Sequence, residues 1–396
     1  MQGTTGAWLA AAALAAVAAA TGPAYSQSNE RRLAMTDDGW TLSGDVKVER
    51  QLGHDALGFG TGAAYHPGQR FRDGTIAFDV AASPRRTFVG VRFRAQSPDV
   101  WEEIYIRPHK LGLPDALQYA PAFAGGRSAW QLYHGPGETA TATMPLGAWV
   151  RVRLVVRGSQ AALFLGDDPT PALIVPRLAH PPAEGFIGFA ALDASAERGT
   201  DRPSAISNIV VQPGVADFAF PEAEPPSIAP GVITAWEVSG AFAPSSTGPP
   251  ADLPSDVLEG PWRHASAEPS GLVPLDRVVD LPAQPGRLAA LARVTIRAER
   301  PVTVPFTVGY SDDASVFLNR DLLFSGVNGY SFNFPRRDGL ITIDQATVYL
   351  PLRAGENELL LAVSDVFGGW GLMGRLEPRA GVILAGPPPD GGAARR

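Results

Sequence analysis

Three stretches set the fold: Phe71-Arg-Asp-Gly-Thr-Ile-Ala-Phe-Asp-Val80, Phe88-Val-Gly-Val-Arg-Phe-Arg94 and Trp101-Glu-Glu-Ile-Tyr-Ile-Arg107. They follow one another with short polar breaks, and Arg72-Asp73-Gly74 is a tight turn before the first strand. Apolar and polar residues alternate with period two, the repeat of a strand buried on one face. The same text continues in Ala129–His134, Val150–Arg157, Ala161–Leu165, Gly185–Ala190 and Ile206–Val211. Further strands are read at Ala292–Ala298, Val302–Tyr310, Ser315–Asn319, Ala346–Leu352 and Asn357–Val363. Between the two sets, Gln212–Pro230 carries Pro213, Pro221, Pro225, Pro226 and Pro230, which predicts a semi-rigid spacer.

Composition agrees. With 43 Gly and 37 Pro in 396 residues, tight turns are favoured over long helices. The expectation is an all-β chain of two antiparallel β-sandwich (jelly-roll) domains in series, 38–211 and 231–385. A linker over 212–230 joins them, and a disordered tail covers 386–396. The net charge of -7 speaks against a general nucleic-acid partner. The absence of cysteine excludes a disulfide scaffold and a Cys-ligated zinc site. Trp8–Ala20 is an Ala-rich apolar run, ended by Gly22-Pro23, with Ala24 and Ser26 at the small-residue positions of a cleavage site before Gln27. This predicts a signal peptide over 1–26, no membrane span in the mature chain, and a periplasmic or extracellular protein, although no Lys or Arg precedes the run.

The first half resembles concanavalin-A-like jelly rolls of the laminin-G and glucanase-like group, over about residues 38–212. The stretches that carry the resemblance are Phe71–Val80, Phe88–Arg94, Gly147-Ala-Trp-Val-Arg-Val-Arg-Leu-Val-Val156, Gly185-Phe-Ile-Gly-Phe-Ala190 and Ile206-Ser-Asn-Ile-Val210. Trp101–His109, Gln118-Tyr119 and Trp130–His134 are similar, more distantly, to 3-keto-disaccharide hydrolase-like domains, with no active-site motif matched. The second half resembles galactose-binding-like sandwiches, over about residues 231–385. Its match is Tyr310-Ser-Asp-Asp-Ala-Ser-Val-Phe-Leu-Asn319 and Leu350-Pro-Leu-Arg-Ala-Gly-Glu-Asn-Glu-Leu-Leu-Leu361, with Arg320 standing where that group usually has Gly. These resemblances imply carbohydrate recognition. They do not decide between binding and cleavage, because one architecture hosts many activities.

Alternation groups the candidate site. In Trp101–Arg107, Glu103, Tyr105 and Arg107 share a face and Ile104 and Ile106 point to the core; in the preceding strand Arg92 and Arg94 join the first group. An open face bearing Arg92, Arg94, Glu103, Tyr105 and Arg107 suits a polysaccharide or oligosaccharide, with aromatic rings against pyranose faces and charged groups on hydroxyls. The alternative is a solvated sheet face with cross-strand ion pairs. The long stretch Pro108–Gly126 is expected to wall this face, bringing His109, Gln118 and Tyr119 to a rim continued by Gln131 and Tyr133. Glu103 and His109 are the candidate acid–base groups if glycosides are cleaved, as a hydrolase or lyase of 3-keto-glycoside type. Adjacent Glu102 and Glu103 fall on opposite faces, which disfavours a paired-carboxylate glycosidase within this strand. Asp312-Asp313 is a candidate calcium site or an Asx-type turn; no cofactor is otherwise required. Trp370 in Phe367-Gly-Gly-Trp-Gly371, with Phe332, Phe334, Arg336 and Arg337, is a candidate sugar platform or a core residue. The expected function is an exported carbohydrate-binding accessory protein, with a glycoside-cleaving enzyme as alternative and any protein partner open.

Overall fold

The computed structural model describes residues 30–195, 202–222, 225, 227–245, 247–281, 286–331 and 338–385. The leader over 1–26, the tail over 386–396 and the cluster Phe332, Phe334, Arg336 and Arg337 lie outside the described residues. The chain is nearly all β, and the one α-helix among the described residues is the five-residue Ser255–Glu259.

The first sandwich comprises β1 (Arg31–Arg32), β2 (Thr41–Gln51), β3 (His54–Phe71), β4 (Gly74–Ala82), β5 (Thr87–Ser97), β6 (Val100–Ile106) and β7 (Leu117–Tyr119). It continues with β8 (Thr139–Ala140), β9 (Val150–Arg157), β10 (Gln160–Leu165), β11 (Leu173–Val175), β12 (Gly185–Asp193) and β13 (Ser204–Pro213). Hydrogen bonding runs in the order β11-β10-β9-β4-β13-β3-β12-β5-β6-β7-β8. The 18-residue β3 belongs to both layers: Leu57–Phe59 pair with β13 and Gly62–Phe71 with β12. The layers then face each other, so that Phe78 of β4 meets Phe189 of β12 at 4.9 Å although the two strands are not neighbours. Glycine makes the crossing. Gly44 adopts φ 72° at the register shift in β2, and a Cβ on Gly62 would run into the Ser43 carbonyl opposite it. The Gly58-Phe-Gly-Thr-Gly62 text is thus the corner of the sandwich.

The second sandwich comprises β14 (Ala235–Val238), β15 (Arg263–Ser266), β16 (Val273–Pro274), β17 (Leu288–Ala298), β18 (Val302–Ser311) and β19 (Asp313–Leu318). It is completed by β20 (Asp321–Val327), β21 (Ala346–Leu352), β22 (Gly355–Asp365), β23 (Gly371–Leu376) and β24 (Val382–Ala385). One sheet runs β15-β14-β17-β22-β19-β20, with β24 also on β17, and the other runs β16-β23-β18-β21. Between them lie Trp236, Phe306, Leu361 and Trp370. Trp370 is fully buried and donates its Nε1–H to the Val363 carbonyl at 3.1 Å, so it is a core residue and not a sugar platform.

One expectation about how the halves relate is corrected, and their contact is found beside it. The Pro-rich segment is no free spacer over its first part. Ala216, Phe218 and Phe220 pack on Val155, Ala162 and Phe164, and the Arg153, Arg157 and Gln160 side chains donate to the carbonyls of Asp217, Phe218 and Pro221. Three aromatic and small apolar residues at alternate positions gain more by covering the outer face of β9–β10 than by staying in water. Nor are the sandwiches separated. The Trp130–His134 segment of the first inserts against the second: Gln131 N–H donates to the Gly368 carbonyl, its carbonyl accepts from Ile341 N–H, and its amide donates to the Asp338 carbonyl at 2.9 Å. Gly339 and Gly368, at φ 78° and 89°, form this cradle, since a Cβ on either would overlap the Gln131 side chain. Leu272, Ile341 and Met373 of the second half complete the apolar cluster of the first.

Candidate functional site

The face read from alternation exists. Register places Ala63, Ala190, Gly90, Tyr105 and Gln118 in one cross-strand row, and Tyr65, Gly188, Arg92 and Glu103 in the next. Ile104 and Ile106 point into the core as expected. Arg92 and Glu103 are direct partners, with Arg92 Nε 3.2 Å from Glu103 Oε2 and Nη1 2.8 Å from the Tyr65 hydroxyl. The guanidinium lies 3.6 Å from the centre of the Trp101 ring. Burial pushes the Glu103 carboxyl above its usual range, against the pull of Arg92.

Openness was the wrong expectation. Glu103 is 6% exposed, Tyr105 7%, Arg107 4% and Gln118 1%. Arg107 Nη1 binds Asp115 Oδ2 at 2.5 Å and Nη2 binds the Tyr105 hydroxyl and Gln118 Oε1, so the loop that should wall a groove instead closes over the strand. Lys110 pairs with the same Asp115 carboxylate. Arg94 leaves the face altogether. It adopts φ 51° at the register shift of β5 and turns to the Arg72 and Gly158 carbonyls and Asp73. Tyr119 is on the core side, as its neighbour Gln118 is on the outer one. Gln131 and Tyr133 form the junction between sandwiches rather than a rim, Tyr133 donating to Glu268 at 2.7 Å. His109 is held by the Thr87 carbonyl at 3.1 Å, edge-on to Phe88, with its pKa lowered by burial. His134 is held by the Ile341 carbonyl at 2.6 Å.

A set of buried carboxyls escaped the sequence reading. Glu102, pointing inward from β6, is fully buried, accepts from the Tyr119 hydroxyl and His180 N–H, and is pushed up to about 7 by burial. Glu138, half-buried, is raised to about 8 by desolvation and by Glu268. At the same junction Arg127 of the first sandwich pairs with Asp365 and Asp276 of the second, and burial raises Asp276 to about 7. No local pattern announces these groups: Glu102 meets Tyr119 and His180 within its own sandwich, while Glu138, Asp276 and Asp365 meet Glu268 and Arg127 only across the two halves. Asp312 and Asp313 are engaged by protein donors: Asp312 Oδ2 accepts from Val366 and Phe367 N–H, and Asp313 from Asn328 and Gly329 N–H and from Arg287. That is the arrangement of a turn-anchoring pair. Among the described residues no three His, Cys, Asp or Glu side chains are grouped to hold a metal.

What stays accessible beside the closed face is aromatic. Trp130, Tyr330 and Phe367 form a triangle with ring centres 6.1, 6.4 and 5.9 Å apart, built from both sandwiches. Phe367 is 53% exposed and Trp130 and Tyr330 are half-buried. Arg107 lies 5.5 Å from the Trp130 ring, and Arg86 reaches the Tyr330 hydroxyl at 2.8 Å. Phe88, half-buried, meets Tyr105 at 5.8 Å and extends the patch along the face. Phe88, Tyr330 and Phe367 lie in three separate stretches of sequence, and only the docking of the sandwiches makes them one surface.

No family model matches the chain, and no curated protein matches it. Among solved structures it is similar to the carbohydrate-binding module CBM66 from Bacillus subtilis, at 11% identity and TM-score 0.33, over 44% of this chain and 96% of that one. It is also similar to the β-glucanase of Bacillus licheniformis, at 12% identity and TM-score 0.33, over 46% and 96%. A native glycosidic hydrolase gives 13% identity and TM-score 0.34, over 47% and 95%. Likeness at this level decides nothing about activity, and the strand pairing described above stands on its own as the basis for two antiparallel sandwiches.

Proposed function

We propose that the protein binds carbohydrate at the junction of its two sandwiches, as an exported accessory factor in glycan recognition. The observation that supports this most is the accessible Trp130–Tyr330–Phe367 triangle, with half-buried Phe88 on the same face and Arg86 at the Tyr330 hydroxyl. Aromatic edges and faces suit the alternating C–H and hydroxyl surfaces of a sugar ring. Binding is preferred to cleavage because Glu103 is buried and ion-paired, out of reach of a glycosidic oxygen. The test is affinity electrophoresis of the full chain through gels containing neutral or acidic polysaccharides. Phe367→Ala should weaken retention roughly two- to tenfold, the worth of about 0.5–1.5 kcal/mol for one aromatic contact. Retention by no polysaccharide, or equal retention of the variant, would remove this reading.

A further inference from the structure

On the opposite layer, a cleft of ≈ 460 Å³ opens between the β2–β3 turn, the segment following β1 and β13. Its walls include Leu33, Met35 and Ile209, which are apolar, and Arg50, His54 and Asp55, which are polar. A volume of this size lies within the usual range for small-molecule sites, roughly 300–1,000 Å³.

His54 is clamped within this wall. Its ring stacks on Trp149 with centres 5.0 Å apart and planes 7° from parallel, and Trp149 is itself fixed by its Nε1–H on the Leu52 carbonyl. Beneath Trp149 lies a floor of Ala56, Ala81 and Ala205. Asn208 holds the other side. Its Nδ2 donates to Asp79 Oδ2 at 2.6 Å and lies 3.2 Å from His54 Nδ1. Asp79 can only accept, so the amide nitrogen must face it, and its second hydrogen is directed at Nδ1. A neutral His54 therefore carries its proton on Nε2. Arg151 closes the network by donating to Asp79 Oδ1 and to the Asn208 carbonyl, both at 3.0 Å. Asn208 reaches this position through a left-handed backbone, φ 49°, at the register break between Ser207 and Val210 in β13. A bulge that re-aims one polar side chain out of a strand ladder is a device found beside binding sites. Nothing in the packing of the sandwich calls for it, since Asn208 is exposed.

We infer that this cleft is a second ligand site, taking a neutral mono- or disaccharide unit, with His54 as a fixed hydrogen-bond donor. Arg50 adds a further donor and Asp55 an acceptor; they pair with each other at 3.2 Å with about 70% of each side chain exposed, so both remain available to hydroxyls. The apolar wall suits the C–H face of the sugar. The site shares neither residues nor sheet face with the aromatic junction and does not rest on it.

The experiment follows the His54 imidazole and Trp149 indole nitrogens by ¹H–¹⁵N spectra of the full chain titrated with glucose, galactose, maltose and cellobiose. At least one sugar should move both signals saturably. Asn208→Gly accepts the left-handed backbone and removes only the amide clamp, and should weaken that titration roughly two- to tenfold, the effect of about one hydrogen bond. Asp55→Asn, on an exposed side chain, should weaken it comparably, while Phe367→Ala should leave it unchanged. The proposal is overturned if no sugar moves either signal, if Asn208→Gly titrates as the unaltered chain does, or if sodium sulfate alone moves both signals equally, which would mark an anion site. Loss of the titration in Phe367→Ala would instead assign the sugar to the junction.

Discussion

Replacing Glu102 by Gln should leave stability at pH 4 nearly unchanged and raise it at pH 8 by about 3 kcal/mol. Glu102 has no exposed surface, and its two oxygens meet only the Tyr119 hydroxyl at 2.5 Å and His180 N–H at 2.9 Å. Arg94 and Arg277 favour its anion only through space, and burial carries the pKa from 4.5 to about 7. Below about pH 4.5 both folded and unfolded chains hold the proton, and the contribution to stability is complete. Between 4.5 and 7 the unfolded chain ionises while the folded one does not, so stability falls as pH rises through the folded pKa. The full difference is about 3 kcal/mol. Gln cannot ionise, keeps a carbonyl for His180 N–H, and directs an N–H at the Tyr119 oxygen. Urea unfolding monitored by tryptophan fluorescence reads the effect. With a slope of about 3 kcal/mol per molar urea, the midpoint should move up by roughly 1 M at pH 8 and hardly at pH 4. An equal loss of stability at both pH values would show that Glu102 is ionised and held by its two donors, and the desolvation reasoning would fail.

Arg107→Ala should lower stability by about 2–4 kcal/mol, because it strips Asp115, Gln118 and Tyr105 of a shared buried donor; an unchanged melting temperature would contradict this. Arg127→Ala leaves Asp276 and Asp365 buried without their counter-ion, and should cost about 3–5 kcal/mol at pH 8 and less at pH 5, since burial raises both carboxyls and favours their neutral forms as pH falls. Calorimetry at the two pH values checks it, and a pH-independent loss would refute it. Gly339→Ala adds a Cβ into the Gln131 amide at φ 78°, costing about 1–2 kcal/mol for the backbone and about 1–3 for the overlap. It should separate the unfolding of the two sandwiches into two calorimetric transitions.

Many strands of both sandwiches were legible because period-two alternation is a local signal, and so was the division of β6 into an inward Ile104–Ile106 side and an outward Glu103–Tyr105 side; β2, the long β3, β20 and β23 were not read, and Ala129–His134, read as a strand, is a turn segment. Arg94 was misplaced by the same rule, since a single residue at φ 51° breaks the alternation and leaves no mark in composition. Closure of the outer face was illegible for a different reason. Asp115, which covers Arg107, is near in sequence, but Asp338, Gly368 and Glu268, which receive Gln131 and Tyr133, are more than a hundred positions away. The sequence therefore carried the content of the face and not its cover. Gln131 read as a polar rim residue because an amide is usually wet; here left-handed glycines provide the dry cradle. The Pro-rich stretch misled likewise, as Phe218 and Phe220 outweigh the prolines once β9–β10 offers them an apolar surface.

The double membership of β3 bears on when the protein can fold at all. Beyond its hairpin with β2, this strand completes both layers through β12 and β13, far downstream: the Ser207 hydroxyl that binds the Asp55 carbonyl lies 152 positions later. Pairings this remote carry the full entropy of closing the intervening loop before any contact repays it, which places such topologies among the slow folders. At ~5–20 residues per second of synthesis, roughly 8–30 s separate the emergence of β3 from that of β13. Throughout that interval β2 can cover one edge of β3 from Gln51 to Thr41, but the other edge, which carries Leu57, Phe59 and Phe71 to β13 and β12, stays unpaired and open to any holding factor or to a neighbouring chain. The glycines at its centre are poor strand formers and lower the tendency of that open edge to pair with the wrong neighbour.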